Sequence, residues 1–228
     1  MKPKLSVIIP AHNEGKYISK TLKSVISQSF KNFEIIVVAD SCTDDTVEIA
    51  KKFGCKIIKS KTKNVGKNRN IGAHNAASDI YVFLDADVTI SGNYLQEVYD
   101  AARKGFESGR PYYYTESNNF FVRNIYLIIN LLNIIMYPNT CFATKSCFDG
   151  VGGYPEFFNN VHEDSLFAQK VTKKYKATVV NAYALNSSRR FDKNGGLKEY
   201  YNQVCNALDY VIFYKIFNKR TRILKPIR

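Results

Sequence analysis

The chain of 228 residues carries 33 Lys and Arg against 20 Asp and Glu, a formal net charge of +13 at pH 7. Hydrophobic residues are 45% and charged residues 23%, which is typical of a globular protein with a sizeable core. The length suits one large domain or two small ones. Internal repeats and low-complexity tracts are absent, and the longest apolar run is shorter than the ~18 residues that a membrane span needs.

The positive charge is concentrated in two segments. Residues 51–67 contain seven lysines and no acid, and residues 210–228 contain six basic residues and no acid. Such fields attract nucleic acid, anionic lipid or phosphorylated substrates, and an ordinary solvated surface is the alternative. The five cysteines are odd in number and lack zinc-type spacing, which predicts reduced thiols in a cytosolic protein. The first apolar stretch, 5–9, is too short for a signal peptide.

The first half alternates strand and helix. Apolar runs predict strands at 5–9, 34–39, 56–59 and 80–84. Apolar periodicity predicts a helix at 15–28, and further helices are expected at 43–53, which Thr43 can cap, at 64–77 beyond Lys67, and from Ser91 or Asn93 to 104. This alternation predicts an α/β domain with a mostly parallel sheet flanked by helices. Ligands of such sheets bind at the carboxyl ends of the strands. The loops to examine are therefore 10–14, 40–45 and 85–87, and each of them carries an acid.

The second half is less regular. It predicts strands at 110–119, 140–145 and 177–181, a loop at 150–155, and a helix at 163–173 that opens with two acids. The apolar segment 120–137 predicts a buried helix, with an interfacial helix as the alternative. From Leu197 onward, an amphipathic helix leads into the basic tail.

Two carboxylates, Asp85 and Asp87, follow the apolar strand 80–84. In an extended segment, residues two apart point to the same side, unless a turn begins at Ala86. Hard oxygen donors in this position suit Mg²⁺ or Mn²⁺, which usually takes one or two protein carboxylates and fills its shell with water and phosphate. The alternative is that both aspartates cap the next helix, near Ser91.

Seven segments, in order along nearly the whole chain, resemble motifs of the family-2 glycosyltransferases, which have the GT-A fold. His12 replaces the common tyrosine of the first motif, Ala39 and Ser41 replace an aspartate and a glycine of the second, and the last keeps only its Arg-aromatic ending. The segments are SVIIPAHNE at 6–14, VVADSCTDDT at 37–46, GKNRNIG at 66–72, DAD at 85–87, GGYPE at 152–156, HED at 162–164 and SSRRF at 187–191.

The resemblance implies a site for a nucleotide-sugar donor. Asp40 can accept a hydrogen bond from a base N–H or cap a helix, and Glu14 can hold a ribose hydroxyl or favour the positive end of the next helix. Arg69 can stack on the base or pair with phosphate. Asp87, with Asp85 directly or through water, is expected to hold the metal. The donor-binding residues implied are Pro10, Ala11, Glu14, Asp40, Arg69, Asp85, Ala86 and Arg190, with Arg189 beside the last.

The resemblance also implies an acceptor site. Asp164 takes the role of general base for the acceptor hydroxyl. Glu163 raises its neighbour's proton affinity by like-charge repulsion. Gly152 and Gly153 let the backbone pass close to a ligand, and Tyr154 offers a face for a sugar, although plain turn chemistry explains the three equally well.

The predicted activity is that of an inverting, metal-dependent glycosyltransferase with a UDP-linked donor and a glycan or lipid-linked saccharide as acceptor. A polyprenyl-phosphate glycosyltransferase and an inactive sugar-nucleotide-binding relative are the alternatives. A dehydrogenase is disfavoured because no G-x-G-x-x-G follows the first strand, and no nucleic-acid-binding motif is present.

The predicted organisation is a catalytic domain, 1–196, and a C-terminal amphipathic basic segment, 197–228. Residues 1–105 form the nucleotide-sugar half of the domain, and 106–196 form the acceptor half. The basic segment predicts a cytoplasmic protein that is peripheral on the inner face of an anionic membrane. Packing of this helix on the domain is the alternative.

Overall fold

The computed structural model describes residues 2–120, 141–156 and 163–187, together with 122–124, 126, 127, 130 and 189. In this part of the chain, eight strands hydrogen-bond into one sheet. They are β1 (Leu5–Ala11), β2 (Phe33–Asp40), β3 (Lys56–Ser60), β4 (Ile80–Phe83), β5 (Val88–Ile90), β6 (Ser108–Thr115), β7 (Phe142–Thr144) and β8 (Ala177–Asn186).

Helices connect these strands and cover the sheet. They are α1 (Ile18–Ile26), α2 (Thr46–Lys52), α3 (Val65–His74), α4 (Tyr94–Arg103), α5 (Lys145–Val151) and α6 (Glu163–Thr172). The alternation predicted for the first half is confirmed. Sequence analysis missed β5, which has only three residues, and α5, which begins directly after β7 with Thr144 as its N-cap.

The strand order is β3-β2-β1-β4-β7-β6-β8-β5. Strand β1 runs parallel to β2 and β4, and β2 runs parallel to β3. The second half of the chain adds antiparallel pairs of β4 with β7, β7 with β6, and β5 with β8, while β6 and β8 are parallel. The predicted α/β class is confirmed, with a mixed sheet. The loops after β1, β2 and β4 therefore meet at one edge of the sheet.

Strand β1 is buried over its whole length. Val7 and Ile9 face one hydrophobic cluster, which includes the apolar stripe of α1. Ile8 faces a second cluster of mainly aromatic residues on the other side of the sheet. Because both faces are covered, the strand reads as a continuous apolar run rather than an alternating one.

Helix α3 lies unusually close to the sheet. A Cβ at Gly72 would be 2.3 Å from Cγ2 of Ile8 and 3.3 Å from Cγ2 of Val38. Any side chain at this position would force the helix away from β1 and β2. The glycine therefore sets the distance between α3 and the sheet. That distance in turn sets the position of the polar side chains one turn earlier in α3.

Several predicted segments lie wholly or partly outside the described residues. The described residues between 122 and 130 are helical, in agreement with the predicted helix, but most of 120–137 and all of 190–228 lie outside. The division into domains at residue 196 and the C-terminal amphipathic helix therefore stay predictions. In the described ranges, no helix combines the length and apolarity that crossing a bilayer requires.

Candidate functional site

The D-x-D segment forms a turn between β4 and β5, at the expected edge of the sheet. The Leu84 N–H donates to the carbonyl of Ile8 at 3.0 Å, and Thr21 Oγ1 donates to the carbonyl of Ala86 at 2.8 Å. These two bonds fix the turn to β1 and α1. Helix α4 begins at Tyr94 after the N-cap Asn93, so neither aspartate caps it.

Arg69 of α3 connects this turn to α6. Its Nη2 donates to Asp85 Oδ1 and its Nη1 donates to Glu163 Oε1, both at 2.8 Å. The residue is only 8% exposed, and its guanidinium carbon lies 5.1 Å from the centre of the Tyr154 ring. Burial alone would lower the pKa of Arg69, but the charges of Asp85 and the other acids raise it.

The role of Arg69 at the donor base or phosphate, which the resemblance implies, stays a prediction. Both terminal nitrogens of its fork are engaged by carboxylates, and its remaining Nε is buried without a partner. In this structure, Arg69 therefore holds two acids in place. The residue types alone do not indicate this role, since one partner lies 94 positions away in the chain.

Glu163 opens α6 and is 9% exposed. Burial first, and the charge of Asp164 second, raise its pKa to about 7, while the nearby Arg69 opposes both effects. The raised proton affinity expected for Asp164 stays a prediction, and the structure adds a raised pKa for Glu163 itself. Asp164 Oδ1 accepts the backbone N–H of Ser165 at 2.7 Å, which orients that carboxylate at the helix start.

A second arginine, Arg189, enters the site from the segment after β8. It donates to both Glu14 oxygens, at 2.6 and 3.0 Å, and its Nε lies 2.9 Å from Asp87 Oδ2. Its guanidinium carbon is 5.0 Å from the centre of the Tyr17 ring. Sequence analysis named Arg190 first, but that residue lies outside the described ones, and its neighbour makes these contacts.

Asp40 ends β2 and is 4% exposed. Its Oδ2 accepts from Asn68 Nδ2 at 2.9 Å. His12 Nδ1 lies 2.6 Å from the backbone carbonyl oxygen of Asp40, which ties Asp40 to the loop after β1. That loop follows Pro10 and Ala11, which pair with Val38 and Ala39 as the last residues of β1.

The predicted acceptor loop is held to α3 by Asn70. The Asn70 side chain accepts from the Tyr154 N–H at 2.8 Å and donates to the Tyr154 carbonyl at 2.9 Å. Gly152 and Gly153 have φ of 77° and 66°, which L side chains rarely adopt, so the tight turn requires both glycines. The Tyr154 ring is only 2% exposed and stacks on Phe167 at 4.1 Å, so it packs in the core rather than offering an open face to a sugar.

The residues of the turn fit a divalent cation. The carboxylates of Asp85 and Asp87 are hard oxygen donors, and their side chains are 54% and 17% exposed. The described residues contain no cluster of three His, Cys, Asp or Glu that would cage a metal. The pair of carboxylates itself suits an ion that takes one or two protein carboxylates and completes its shell with water and donor phosphate.

Residues 6–154 match the model of the family described as Glycosyl transferase family 2. Glycosyltransferase GlyA of Streptococcus pneumoniae is 33% identical over 130 residues, which cover 54% of this chain and 19% of GlyA. The minor teichoic acid biosynthesis protein GgaA of Bacillus subtilis is 26% identical over an aligned length of 251, gaps included, and the match covers 96% of this chain and 56% of GgaA. The chain thus spans only part of the length of these relatives.

Solved structures share the fold. Residues 1–349 of Staphylococcus aureus TarS match with a TM-score of 0.69 and 22% identity, over 92% of this chain and 66% of that chain. The Pyrobaculum calidifontis mannosyltransferase PcManGT, in complex with GDP-Man and Mn²⁺, matches with a TM-score of 0.70 and 17% identity, over 97% and 66%. These likenesses confirm the predicted GT-A fold.

The raised pKa of Glu163 predicts a pH-dependent stability. Between pH 4.5 and about 7, the folded chain keeps a proton that the unfolded chain has lost, so the contribution of Glu163 to the free energy of unfolding falls as pH rises. Glu163→Gln removes this loss. In urea unfolding at pH 5, 6, 7 and 8, the free energy of unfolding of the variant relative to the parent should rise by at most about 1.4 kcal/mol per pH unit up to pH 7, and then no further. The exposed Glu48→Gln is the control, and parallel curves for Glu163→Gln and the parent would refute the assignment.

Proposed function

The chain belongs to glycosyl transferase family 2, and from this premise we propose that it moves a sugar from a UDP-linked donor to a hydroxyl acceptor with inversion at the anomeric carbon. The observation that carries the proposal is the meeting of three acidic positions at one sheet edge. Asp40 ends β2, the turn at 85–87 follows β4, and Glu163 and Asp164 open α6. Arg69 joins the last two through ion pairs.

The donor is proposed to lie along this edge, with its base at Asp40 and its diphosphate at the 85–87 turn. Asp40 accepts a base N–H, Glu14 binds the ribose, and the backbone of Pro10, Ala11 and Ala86 lines the path between them. The likeness to TarS supports the choice of uridine. TarS is 22% identical to this chain, and its structure has been solved in complex with UDP-GlcNAc. The base is therefore assigned by analogy.

Asp87 and Asp85 are proposed to hold Mg²⁺ or Mn²⁺. The two arginine networks join four carboxylates to two guanidinium groups, a formal charge of −2 when all are ionised. A divalent cation balances this charge. When bound, such an ion takes up negative charge that develops on the departing nucleoside diphosphate.

Asp164 is proposed as the general base. As the acceptor oxygen bonds to the anomeric carbon, its proton passes to the Asp164 carboxylate and the bond from that carbon to the diphosphate oxygen breaks. Glu163 is anchored by Arg69 at 2.8 Å, so the first turn of α6, which carries Asp164, is fixed relative to the 85–87 turn. A single displacement of this kind inverts the configuration.

The acceptor is proposed to be a glycan or lipid-linked saccharide of the cell envelope, approaching over the loop at 152–154. The names of two relatives point the same way: GgaA is a minor teichoic acid biosynthesis protein, and TarS is a poly(ribitol-phosphate) β-N-acetylglucosaminyltransferase. An acceptor hydroxyl needs a base, which agrees with an acidic pair at the start of α6. An acceptor that is already a phosphate anion does not need one.

Metal dependence through Asp87 is the first prediction. Asp87→Ala should abolish transfer, measured as release of UDP from a screened UDP-sugar with Mn²⁺ or Mg²⁺, and EDTA should reproduce the loss in the parent. Asp79→Ala, an exposed carboxylate at the opposite end of β4, should keep parental activity. Full activity of the parent in EDTA would contradict metal dependence.

Inversion with Asp164 as base is the second prediction. Asp164→Asn should lower turnover by roughly 10²–10⁴, because a positioned base is lost, while the affinity for UDP stays within about twofold. The exposed Asp100→Asn serves as control. A product that retains the anomeric configuration of the donor, established by NMR of the new linkage, would overturn the mechanism.

Association with an anionic membrane surface is the third prediction, and it rests on the sequence of 197–228. Each basic residue near such a surface contributes about 1 kcal/mol, less with added salt. The chain should float with vesicles that contain anionic lipid and not with neutral ones, and deletion of residues 215–228 should remove the binding. Equal flotation with and without these residues would contradict the proposal.

A further inference from the structure

The carboxylate of Asp40 has an asymmetric set of hydrogen bonds. Asn68 Nδ2 donates to Oδ2 at 2.9 Å, a normal length. Ser41 Oγ reaches Oδ1 only at 3.2 Å, which is long for a hydroxyl donor. The two oxygens therefore differ: Oδ2 accepts the shorter bond from the protein and Oδ1 the longer one, so Oδ1 keeps more capacity to accept from a ligand donor.

The orientation of the Asn68 amide is fixed by its other end. Ser60 Oγ and Thr62 Oγ1 donate to Asn68 Oδ1 at 2.7 and 2.9 Å. If the amide flipped, its NH₂ group would face two hydroxyls and its oxygen would face the Asp40 carboxylate. Asn68 is 3% exposed and Ser60 is 8% exposed, so water does not readily replace these bonds.

We infer that Asn68 is a specificity-determining residue for the donor base, because its N–H occupies Oδ2 of Asp40 and leaves Oδ1, with its longer bond from Ser41, as the better acceptor for the lone imide N–H of uracil. The inference rests on the proposed function, in which Asp40 binds the base. Asn68 acts through Asp40, so it is a positioning residue and makes no contact with the reacting atoms.

The donor patterns of the bases explain the preference. Uracil presents one N–H between two carbonyl oxygens, so a second bare carboxylate oxygen would face a carbonyl and repel it. With Oδ2 covered by the Asn68 N–H, that repulsion is weakened. Guanine presents two adjacent donors, the ring N–H and the exocyclic amine, which match both oxygens of an open carboxylate. Occupation of Oδ2 by Asn68 therefore disfavours guanine and favours uracil.

The test measures the dissociation constants of UDP and GDP by calorimetry, with the same concentration of Mn²⁺, for the full chain and for Asn68→Ala. The parent should bind UDP more tightly than GDP, and Asn68→Ala should reduce this ratio at least about tenfold. At saturating UDP-sugar, the hydrolysis kcat of the variant should stay within about threefold of the parent while its KM rises. A residue with a purely structural role would weaken both nucleotides equally.

Two further variants keep the test decisive. Asn75→Ala, an exposed asparagine at the end of the same helix, should leave both constants unchanged. Ser60→Ala removes one of the bonds that orient Asn68, so it should reduce the UDP-to-GDP ratio in the same direction by a smaller factor. If Asn68→Ala does not fold, the UDP-to-GDP ratio of Ser60→Ala decides whether Asn68 has this role.

The outcomes separate this inference from the proposed function. If the parent binds UDP over GDP but Asn68→Ala and Ser60→Ala leave the ratio unchanged, the role of Asn68 is wrong and the donor assignment stands. If the parent prefers GDP or binds neither nucleotide, the proposed donor is wrong, and the role of Asn68 fails with it.

Discussion

The ion pairs of one buried arginine connect the parts of this site. Removing a guanidinium from water costs several kcal/mol, and two carboxylates at 2.8 Å offset that cost for Arg69. Loss of either Asp85 or Glu163 would leave one buried guanidinium nitrogen of Arg69 without its acceptor, which typically costs about 1–3 kcal/mol. The 85–87 turn and the start of helix α6 are therefore held in a fixed relation, although 78 positions separate Asp85 from Glu163 in the chain.

Helix α3 extends this organisation to the whole site. Successive helical side chains diverge by about 100°, so three adjacent residues can reach three different loops. Asn68 binds Asp40, Arg69 binds the two acids, and Asn70 binds both backbone groups of Tyr154. Arg189 closes the network from the other side through Glu14 and Asp87. The base, diphosphate and acceptor regions of the proposed site are thus positioned relative to one helix, which Gly72 lets approach the sheet.

Much of the fold follows from local sequence patterns. The strands β1, β2 and β4 are buried on both faces, so they appear in the sequence as continuous apolar runs, and helix α1 shows the helical period of an apolar stripe. The acids that follow these strands were predicted to share one edge because parallel strands bring their carboxyl ends together. The elements that were missed, β5 and α5, have three and seven residues. Segments this short carry too few positions for a period to be read.

The sequence by itself determined the α/β class, the family and the segments that carry the site. The tertiary structure alone decided the partners of each side chain. It placed Arg69 between two acids, brought Arg189 to Glu14 and Asp87, buried the ring of Tyr154, and gave the raised pKa to Glu163. The physical reason is that burial and pairing arise between residues up to 175 positions apart, and no local spacing encodes such contacts.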